Sequence, residues 1–418
     1  MKESCRIVLP ALFVIFFGCS KNGITPAPPN PDTNLAGTIP LTDTVMKHME
    51  GIYDLSSGSD GLGSNFVCKV SKFRVSFFSD ANGIFFILKY GLNPADSSLQ
   101  FAGFWRYSET TAQGLVNFSI PKDKGVIQFL QSGDPSSLEL NGMFSNAAGA
   151  NGNAMAIKYS RDFSAYAKSH PFQIYAHHGV QTTANPPYAE NSINGALHDE
   201  DYGVNGLEFD VHLTKDGVPI CMHDAEIDID LTKKSALAGK YIQYSFAFLQ
   251  NYLQLVDGQK IPSVEEVLTA FIDSTNMKWF WMDVKGDPDV FKYLAPVVRN
   301  AYARAAAKGR DVIIYADLPS QSVIEEYQKD TAVYTGLPKM CELTTGDVID
   351  NHCQYWGPRY SRGLLLDEVQ QMHSMGIQCL SWTLNERNLI INYLKNGQFD
   401  GFISDYPAYV VYNYYTMF

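Results

Sequence analysis

The sequence predicts an α/β protein: a TIM (β/α)8 barrel preceded by a small all-β antiparallel sandwich or barrel domain. Two rhythms carry this prediction. From about residue 40 to 165, short alternating apolar segments are separated by turn formers such as Asp80-Ala81-Asn82-Gly83 and Gly133-Asp134-Pro135. From about residue 172 the pattern becomes strand then helix, repeatedly. Eight such strands over about 250 residues match a closed barrel. A doubly wound open sheet is the alternative, disfavoured by the count of eight and by polar residues at the strand ends.

The elements follow in chain order. Residues 1–19 read as a lipoprotein-type signal segment: Lys2 and Arg6, then the apolar run Ile7–Phe17, then Gly18-Cys19. That run is too short to span a bilayer as a helix, which needs about 20 residues. The small residue before Cys19 resembles a bacterial lipoprotein signal, in which the cysteine is acylated and becomes the mature N-terminus; a simple cleaved signal peptide is the alternative. Residues 20–39 form a linker stiffened by Pro26, Pro28, Pro29 and Pro31. The expectation is a protein of the bacterial cell envelope, periplasmic or surface-exposed, held to the membrane by a lipid on Cys19. Residues 40–165 make the all-β domain, with strands at Lys72–Phe78, Ile84–Tyr90, Phe101–Tyr107, Gly125–Leu130 and Leu138–Phe144. It holds no catalytic constellation, and aromatics such as Trp105 read as its core, with lipid or glycan binding as the alternative.

Residues 170–418 make the barrel. Its strands are expected at Phe172–Ala176, Gly206–Val211, Lys278–Val284, Asp311–Ala316, Ala332–Thr335, Gln354–Trp356, Ile377–Thr383 and Gly401–Ser404. Helices are expected at Val290–Lys308, Gln321–Lys329 and Leu366–Met375. The composition, 45% hydrophobic and 18% charged, is that of a globular chain. A net charge of −12 speaks against a nucleic-acid partner, because displacing counterions requires a basic surface. It leaves phosphate-bearing small molecules open, since a bound cation inverts the sign locally. Seven cysteines contain no CxxC pair, so their spacing suggests neither a disulfide framework nor a zinc site.

The segment richest in chemistry is GLEFDVHLTKDGVPICMHD, residues 206–224. Glu208 and Asp210 are two apart on a strand and share a face, while Leu207 and Phe209 turn toward the helices. Two carboxylates facing a barrel interior stay ionised at low cost only beside a cation or several donors. The turn at Lys215-Asp216-Gly217 returns the chain to His223-Asp224 at the same rim, and His177 ends the first strand. Asp283 and Lys285 share another strand face, so Asp283 can complete an oxygen-rich cation site while Lys285 meets a phosphate oxygen. Taken singly, each of these residues has an ordinary structural explanation as an ion pair or a buried histidine.

Together the motifs AHHG (176–179), AENS (189–192), residues 206–224, IPSVEEVL (261–268), MDVKG (282–286), SWTLN (381–385) and DGFISDYP (400–407) resemble the glycerophosphodiester phosphodiesterase family. The resemblance runs from 172 to about 410. It implies a TIM barrel, a divalent cation, Ca2+ or Mg2+, and hydrolysis of glycerophosphodiesters. By position it makes Glu208, Asp210 and Asp283 metal ligands, His177 and His223 the acid/base pair, and Lys285 a phosphate contact. It places His178, Asn191, Trp382 and Asn385 at the substrate pocket, with Glu190 at the site's edge. Asp405 falls in a closing motif where a structural role is expected. Two positions depart from the pattern. The family usually has Arg where this chain has His178, and Glu where it has Asp283, a shortening shared with the sphingomyelinase D branch. Arg359 is a candidate replacement for the lost charge, with a surface role as the alternative. A phospholipase or lyase acting on another phosphodiester, and an inactive binding lipoprotein on the same barrel, are the competing expectations.

Overall fold

Two closed β-barrels in tandem, the second sheathed in helices, form the computed structural model, which describes residues 35–58, 60–146, 152–180 and 187–418. The expected signal segment, Cys19 and linker residues 20–34 lie outside the described residues.

The first barrel is antiparallel throughout. Its strands are β1 (Gly51–Ser57), β2 (Asn65–Ser71), β3 (Arg74–Phe78), β4 (Phe85–Leu92), β5 (Leu99–Arg106), β6 (Gln113–Ile120), β7 (Glu139–Phe144) and β8 (Asn153–Arg161). Each pairs with the next, and β8 returns to β1, so no strand edge is left to recruit another chain. Strict alternation explains the closure: in β6, Gly114, Val116, Phe118 and Ile120 point inward between more exposed neighbours. Phe66, Phe77, Phe86 and Phe118 interlock inside. Trp105 packs against Tyr107 and Phe144 and donates from Nε1 to the Ser145 carbonyl at 2.9 Å. The strand expected at Gly125–Leu130 is instead helical, through Lys122–Val126 and Ile127–Ser132. Val126 and Phe129 bury a face at helical spacing, and Gly133, at φ +72°, caps the end by donating to the Phe129 carbonyl.

The second barrel has eight parallel strands. They are β9 (Gln173–Ala176), β10 (Gly206–Leu213), β12 (Trp279–Val284), β13 (Ile313–Leu318), β14 (Lys339–Cys341), β15 (Tyr355–Trp356), β16 (Gln378–Ser381) and β17 (Gly401–Ser404). β17 pairs with β9 and β9 with β10, closing the ring, while β11 (Pro219–Cys221) forms an antiparallel flap on β10. Side-chain parity divides the strands cleanly. Tyr175, Trp281, Tyr315, Met340, Tyr355, Leu380 and Ile403 fill the interior, whereas Leu207, Phe209, Phe280 and Ile314 pack outward under the helices. The expected fifth strand is displaced. Ala332–Thr335 falls in the helical turn Thr331–Tyr334, where Tyr334 is buried against Phe291 at 5.3 Å, and the strand is Lys339–Cys341. Three residues beginning with lysine are too few to show a periodicity.

The barrels share a core. Ile52, Val67, Phe78 and Phe85 on the outside of the first barrel join Tyr202, Val204, Val410 and Val411 of the second. Each such buried side chain is worth about 1.5–3 kcal/mol. Polar contacts flank this seam: Ser71 Oγ donates to Asp201 at 2.5 Å, Arg74 pairs with Asp201 at 2.9 Å, and Lys69 meets Glu50 and the Tyr415 hydroxyl at 3.3 Å. No helix among the described residues is long and apolar enough to cross a membrane. The five described cysteines, Cys68, Cys221, Cys341, Cys353 and Cys379, are buried and unpaired.

Candidate active site

Strand parity sets the site at the carboxyl-end rim of the parallel barrel. Asp210 lies opposite Asp283 in the β10–β12 register, and Glu208 lies one step below, opposite Trp281. Ligand oxygens of Glu208, Asp210 and Asp283 all come within 4.8 Å of one another. The Lys285 ammonium sits against two of them, 2.7 Å from Asp210 and 2.6 Å from Asp283. Asp210 also accepts from Asn191 Nδ2 at 2.6 Å, and its backbone N–H donates back to Asn191 Oδ1 at 2.9 Å. Burial and the neighbouring Asp210 charge push Glu208 well above the ordinary carboxylate range. Asp210 goes the other way: burial opposes its charge, but His178, Lys285 and His223 hold it ionised. Burial likewise works against the Lys285 charge, and Asp210 and Asp283 overcome it.

The three histidines form a row beside this cluster. Ring centroids are 3.8 Å apart for His177 and His178 and 4.8 Å for His178 and His223. The short turn His177–Gly179 makes this possible: His178 is left-handed at φ +54°, and Gly179, at φ +59°, leaves no room for a Cβ, which would lie 2.0 Å from the Phe209 ring. His178 donates its backbone N–H to Glu208 at 2.7 Å, and its ring approaches Glu190 at 3.4 Å and Asp210 at 3.7 Å. Burial opposes its charge, yet Asp210, Glu190 and Glu208 push it up to about 10. Burial and charged His178 push His177 below its ordinary value, against the attraction of Asp405. His177 Nδ1 is 2.6 Å from Asp405, whose other oxygen accepts from Asn385 Nδ2 at 2.6 Å. His223 is the most open of the three, at 43% side-chain exposure, with Nδ1 2.8 Å from Asp224.

The predicted residues therefore converge. Glu208, Asp210, Asp283, Lys285, His177, His178, His223 and Asn191 meet at one rim. Asn385 reaches the site's edge through Asp405. Trp382 donates to the Gly357 carbonyl at 2.7 Å and lies under the Arg359 guanidinium, 5.5 Å from its ring.

Three participants escaped the sequence argument: Asp317, Glu342 and His212. Asp317 on β13 is fully buried and accepts from Trp281 Nε1 at 3.1 Å. Its carboxyl meets that of Glu342, just past β14; burial pushes Asp317 up to about 7 and, with Asp317, pushes Glu342 well above its usual range. Two acids in contact hold one proton between them. His212 shares the Glu208–Asp210 face, with Nδ1 2.8 Å from Asp287 and Nε2 3.3 Å from the His223 carbonyl. Parity was the available signal for Asp317, two residues after Tyr315, and for His212; Glu342 was hidden by the misplaced fifth strand.

Glu208 Oε1 and Asp283 Oδ1 are buried without a hydrogen-bond partner among the described residues. Converging, unpartnered carboxylate oxygens suit a hard divalent cation.

A model of the glycerophosphoryl diester phosphodiesterase family matches residues 177–335. Over 253 residues the chain is 23% identical to a glycerophosphodiester phosphodiesterase of Bacillus altitudinis, covering 56% of this chain and 95% of the relative. Over 249 residues it is 22% identical to the Mus musculus protein named glycerophosphodiester phosphodiesterase 1, covering 50% and 72%. Among solved structures, an Oleispira antarctica phosphodiesterase in complex with the product sn-glycerol-3-phosphate aligns at TM-score 0.45 and 18% identity, covering 58% of this chain and 97% of that one. A glycerophosphodiester phosphodiesterase from Parabacteroides distasonis aligns at TM-score 0.44 and 21% identity, covering 56% and 93%.

Proposed function

We propose that this chain, whose barrel belongs to the glycerophosphoryl diester phosphodiesterase family, cleaves glycerophosphodiesters to glycerol phosphate and an alcohol, with a divalent cation and with His177 and His223 as the acid/base pair. The observation that supports it most is the two imidazoles at the ends of a histidine row beside a carboxylate cluster, each with Nδ1 turned to its own aspartate. Glu208, Asp210 and Asp283 would hold Ca2+ or Mg2+, which polarises the phosphoryl group and offsets developing charge.

The remaining work falls to side chains. Asp405 accepts the Nδ1 proton of His177 and leaves Nε2 free to take a proton from the attacking hydroxyl. Because burial and His178 favour its neutral form, His177 is suited to be a base near neutral pH. His223, open to solvent and oriented by Asp224, delivers a proton to the departing alcohol. Each transfer is typically worth about 10²–10⁴-fold. His178 supplies the positive charge that the family's arginine gives elsewhere, and Lys285 offers a second cation to the phosphate oxygens. Asn191 holds Asp210, Asn385 holds Asp405, and Trp382 borders the pocket.

If the attacking hydroxyl belongs to the substrate's own glycerol, a cyclic phosphate forms first. Water then opens it, or the enzyme stops there as a lyase. The leader sequence supports a lipid anchor on Cys19 and a place in the bacterial cell envelope. The test is turnover of glycerophosphocholine and glycerophosphoethanolamine with Ca2+ or Mg2+, with products resolved into cyclic and open forms. Chelation should abolish turnover, as should His177→Ala or His223→Ala in folded protein. Full activity in chelator rejects the cation, and activity retained by both variants rejects the acid/base pair. Tight binding of the same compounds without turnover would leave a binding lipoprotein.

A further inference from the structure

We propose that the face formed by the aromatic ridge Tyr244–Phe248–Tyr252 and the adjoining lysines Lys233, Lys234 and Lys260, in the segment between His223 and the helix Val264–Ser274, is a docking surface for an anionic phospholipid bilayer, on the same rim as the candidate site. It stands independently of the catalytic reading. The segment is fastened to the turn above β10: Lys215 donates its N–H to the Tyr244 carbonyl at 2.8 Å, and the Phe246 N–H donates to Asp216 at 2.9 Å. Ile220 and Met222, just before His223, share a small core with Leu231, Leu249, Leu253 and Leu255. The surface is thus rigidly tied to the carboxyl-end rim.

Two features of its outer side agree. The helix Phe246–Tyr252 buries Leu249 but turns Phe248 and Tyr252 outward, at 37% and 65% exposure. Tyr244, Phe248 and Tyr252, spaced i, i+4, i+8, form a continuous aromatic ridge, Tyr244 stacked on Phe248 at 5.4 Å and Phe248 tilted against Tyr252 at 4.7 Å. Scattered exposed aromatics need no explanation, but a row in ring-to-ring contact is a contiguous apolar surface. Beside it lies a groove of about 430 Å³ walled by Tyr252 and carrying Lys233, Lys234 and Lys260, with no carboxylate among its lining residues. None of these lysines forms an ion pair among the described residues, in a chain of net charge −12.

Rings that sit at the headgroup level beside lysines that reach lipid phosphates are the combination an anionic interface selects. It would turn the mouth of the site toward the bilayer. Each lysine near an anionic surface contributes roughly fivefold in partition, so three give about 10²-fold.

The test is vesicle co-sedimentation of the mature chain starting at Ser20, which carries neither the expected signal segment nor the expected acyl anchor. Vesicles are phosphatidylcholine alone or mixed with phosphatidylglycerol. The wild-type surface should prefer the mixed vesicles and lose that preference at high salt. The variant Lys233→Glu/Lys234→Glu/Lys260→Glu should lose about 10²-fold in partition or more. Tyr252→Ser should weaken binding to the mixed vesicles even at high salt. Circular dichroism confirms folding, and turnover of a water-soluble phosphodiester should stay unchanged in both variants. Equal partition of wild type and triple variant overturns the proposal. So does calorimetric binding of inorganic phosphate as strong as vesicle binding, or a dimer in solution that the triple variant dissolves, which would assign the face to a second copy.

Discussion

Asp405→Asn is a sharp test because the structure dictates how the new amide must sit. Asp405 touches two groups: His177 Nδ1 at 2.6 Å through one oxygen and Asn385 Nδ2 at 2.6 Å through the other. Asn385 presents a donor, so the amide carbonyl must turn toward Asn385. The amide NH2 then faces His177, and His177 must accept at Nδ1 and carry its proton on Nε2. The base is left in the wrong tautomer. Loss of the charged hydrogen bond alone is worth about 1.5–3 kcal/mol once the imidazolium forms. At about 1.4 kcal/mol per tenfold this is roughly 10–150-fold in kcat. The tautomer adds to it and carries the expected loss toward about 10⁴. KM should change by less than about threefold, because Asp405 holds His177 and not the substrate. The carboxylate's attraction raises His177 against burial and His178, so its removal lowers that pKa and moves the base limb of the pH profile to lower pH. The assay is kcat and KM across pH for glycerophosphocholine, with circular dichroism as the folding control. A kcat within about threefold of wild type and an unmoved limb would refute the role given to His177.

Three further outcomes follow from the same geometry. Ca2+ or Mg2+ at about 100 times its Kd should stabilise the protein by about 2.7 kcal/mol in thermal unfolding, an effect lost in Asp210→Asn; because burial and Asp210 favour a proton on Glu208, cation binding near neutral pH should also release protons, and buffer-independent calorimetric heats would contradict this. His212→Leu should lower kcat by about 10–10²-fold at nearly constant KM, because it frees the His223 carbonyl that His212 holds at 3.3 Å; a change confined to stability would make His212 a packing residue. Glu50→Gln should cost about 1–3 kcal/mol in urea unfolding at neutral pH, since it strips the seam's Lys69 of its carboxylate. Although burial opposes its charge, Lys69, Lys47 and the Val70 N–H hold Glu50 below its usual pKa, so its contribution is present above about pH 4.3 and is lost as pH falls further; the variant's stability should be flatter through that window.

The rim was legible because strand parity and chain order survive in sequence. Glu208 and Asp210 announce a shared face by spacing, and the register that sets Asp210 beside Asp283 follows once β10 and β12 are neighbours in a parallel barrel. What sequence hid were relations across the ring. Asp405 read as the end of a closing motif, yet the β17–β9 pairing sets Ser404 beside Ala176 and so delivers Asp405 to His177. Glu342 vanished because Lys339–Cys341 is too short to show alternation, and Tyr334, with its β-forming neighbours, drew the strand to a segment that tertiary packing makes helical. For the first domain the sequence left a sandwich and a closed barrel open, since the β1–β8 pairing that decides between them joins strands a hundred residues apart.

The arrangement of charge explains why these acids can share one rim. Glu208, Asp210 and Asp283 would repel one another in a setting this poor in water. The structure relieves them in three ways: Lys285 bridges Asp210 and Asp283, His178 stays cationic against Asp210 and Glu190, and Glu208 favours a proton. Asp317 and Glu342, on the next two strands round the barrel, add an acid pair that keeps its own proton and so contributes less than two charges. A divalent cation among the three carboxylates would take over the work of the Glu208 proton and weaken the hold on Lys285. The lysine would then be available to a phosphate. Substituting Asp for the longer glutamate fits this economy, since Asp283 reaches Lys285 two residues along its own strand face. A cation, the lysine and His178 would act on one charge balance, and a substrate phosphate would be the anion that completes it.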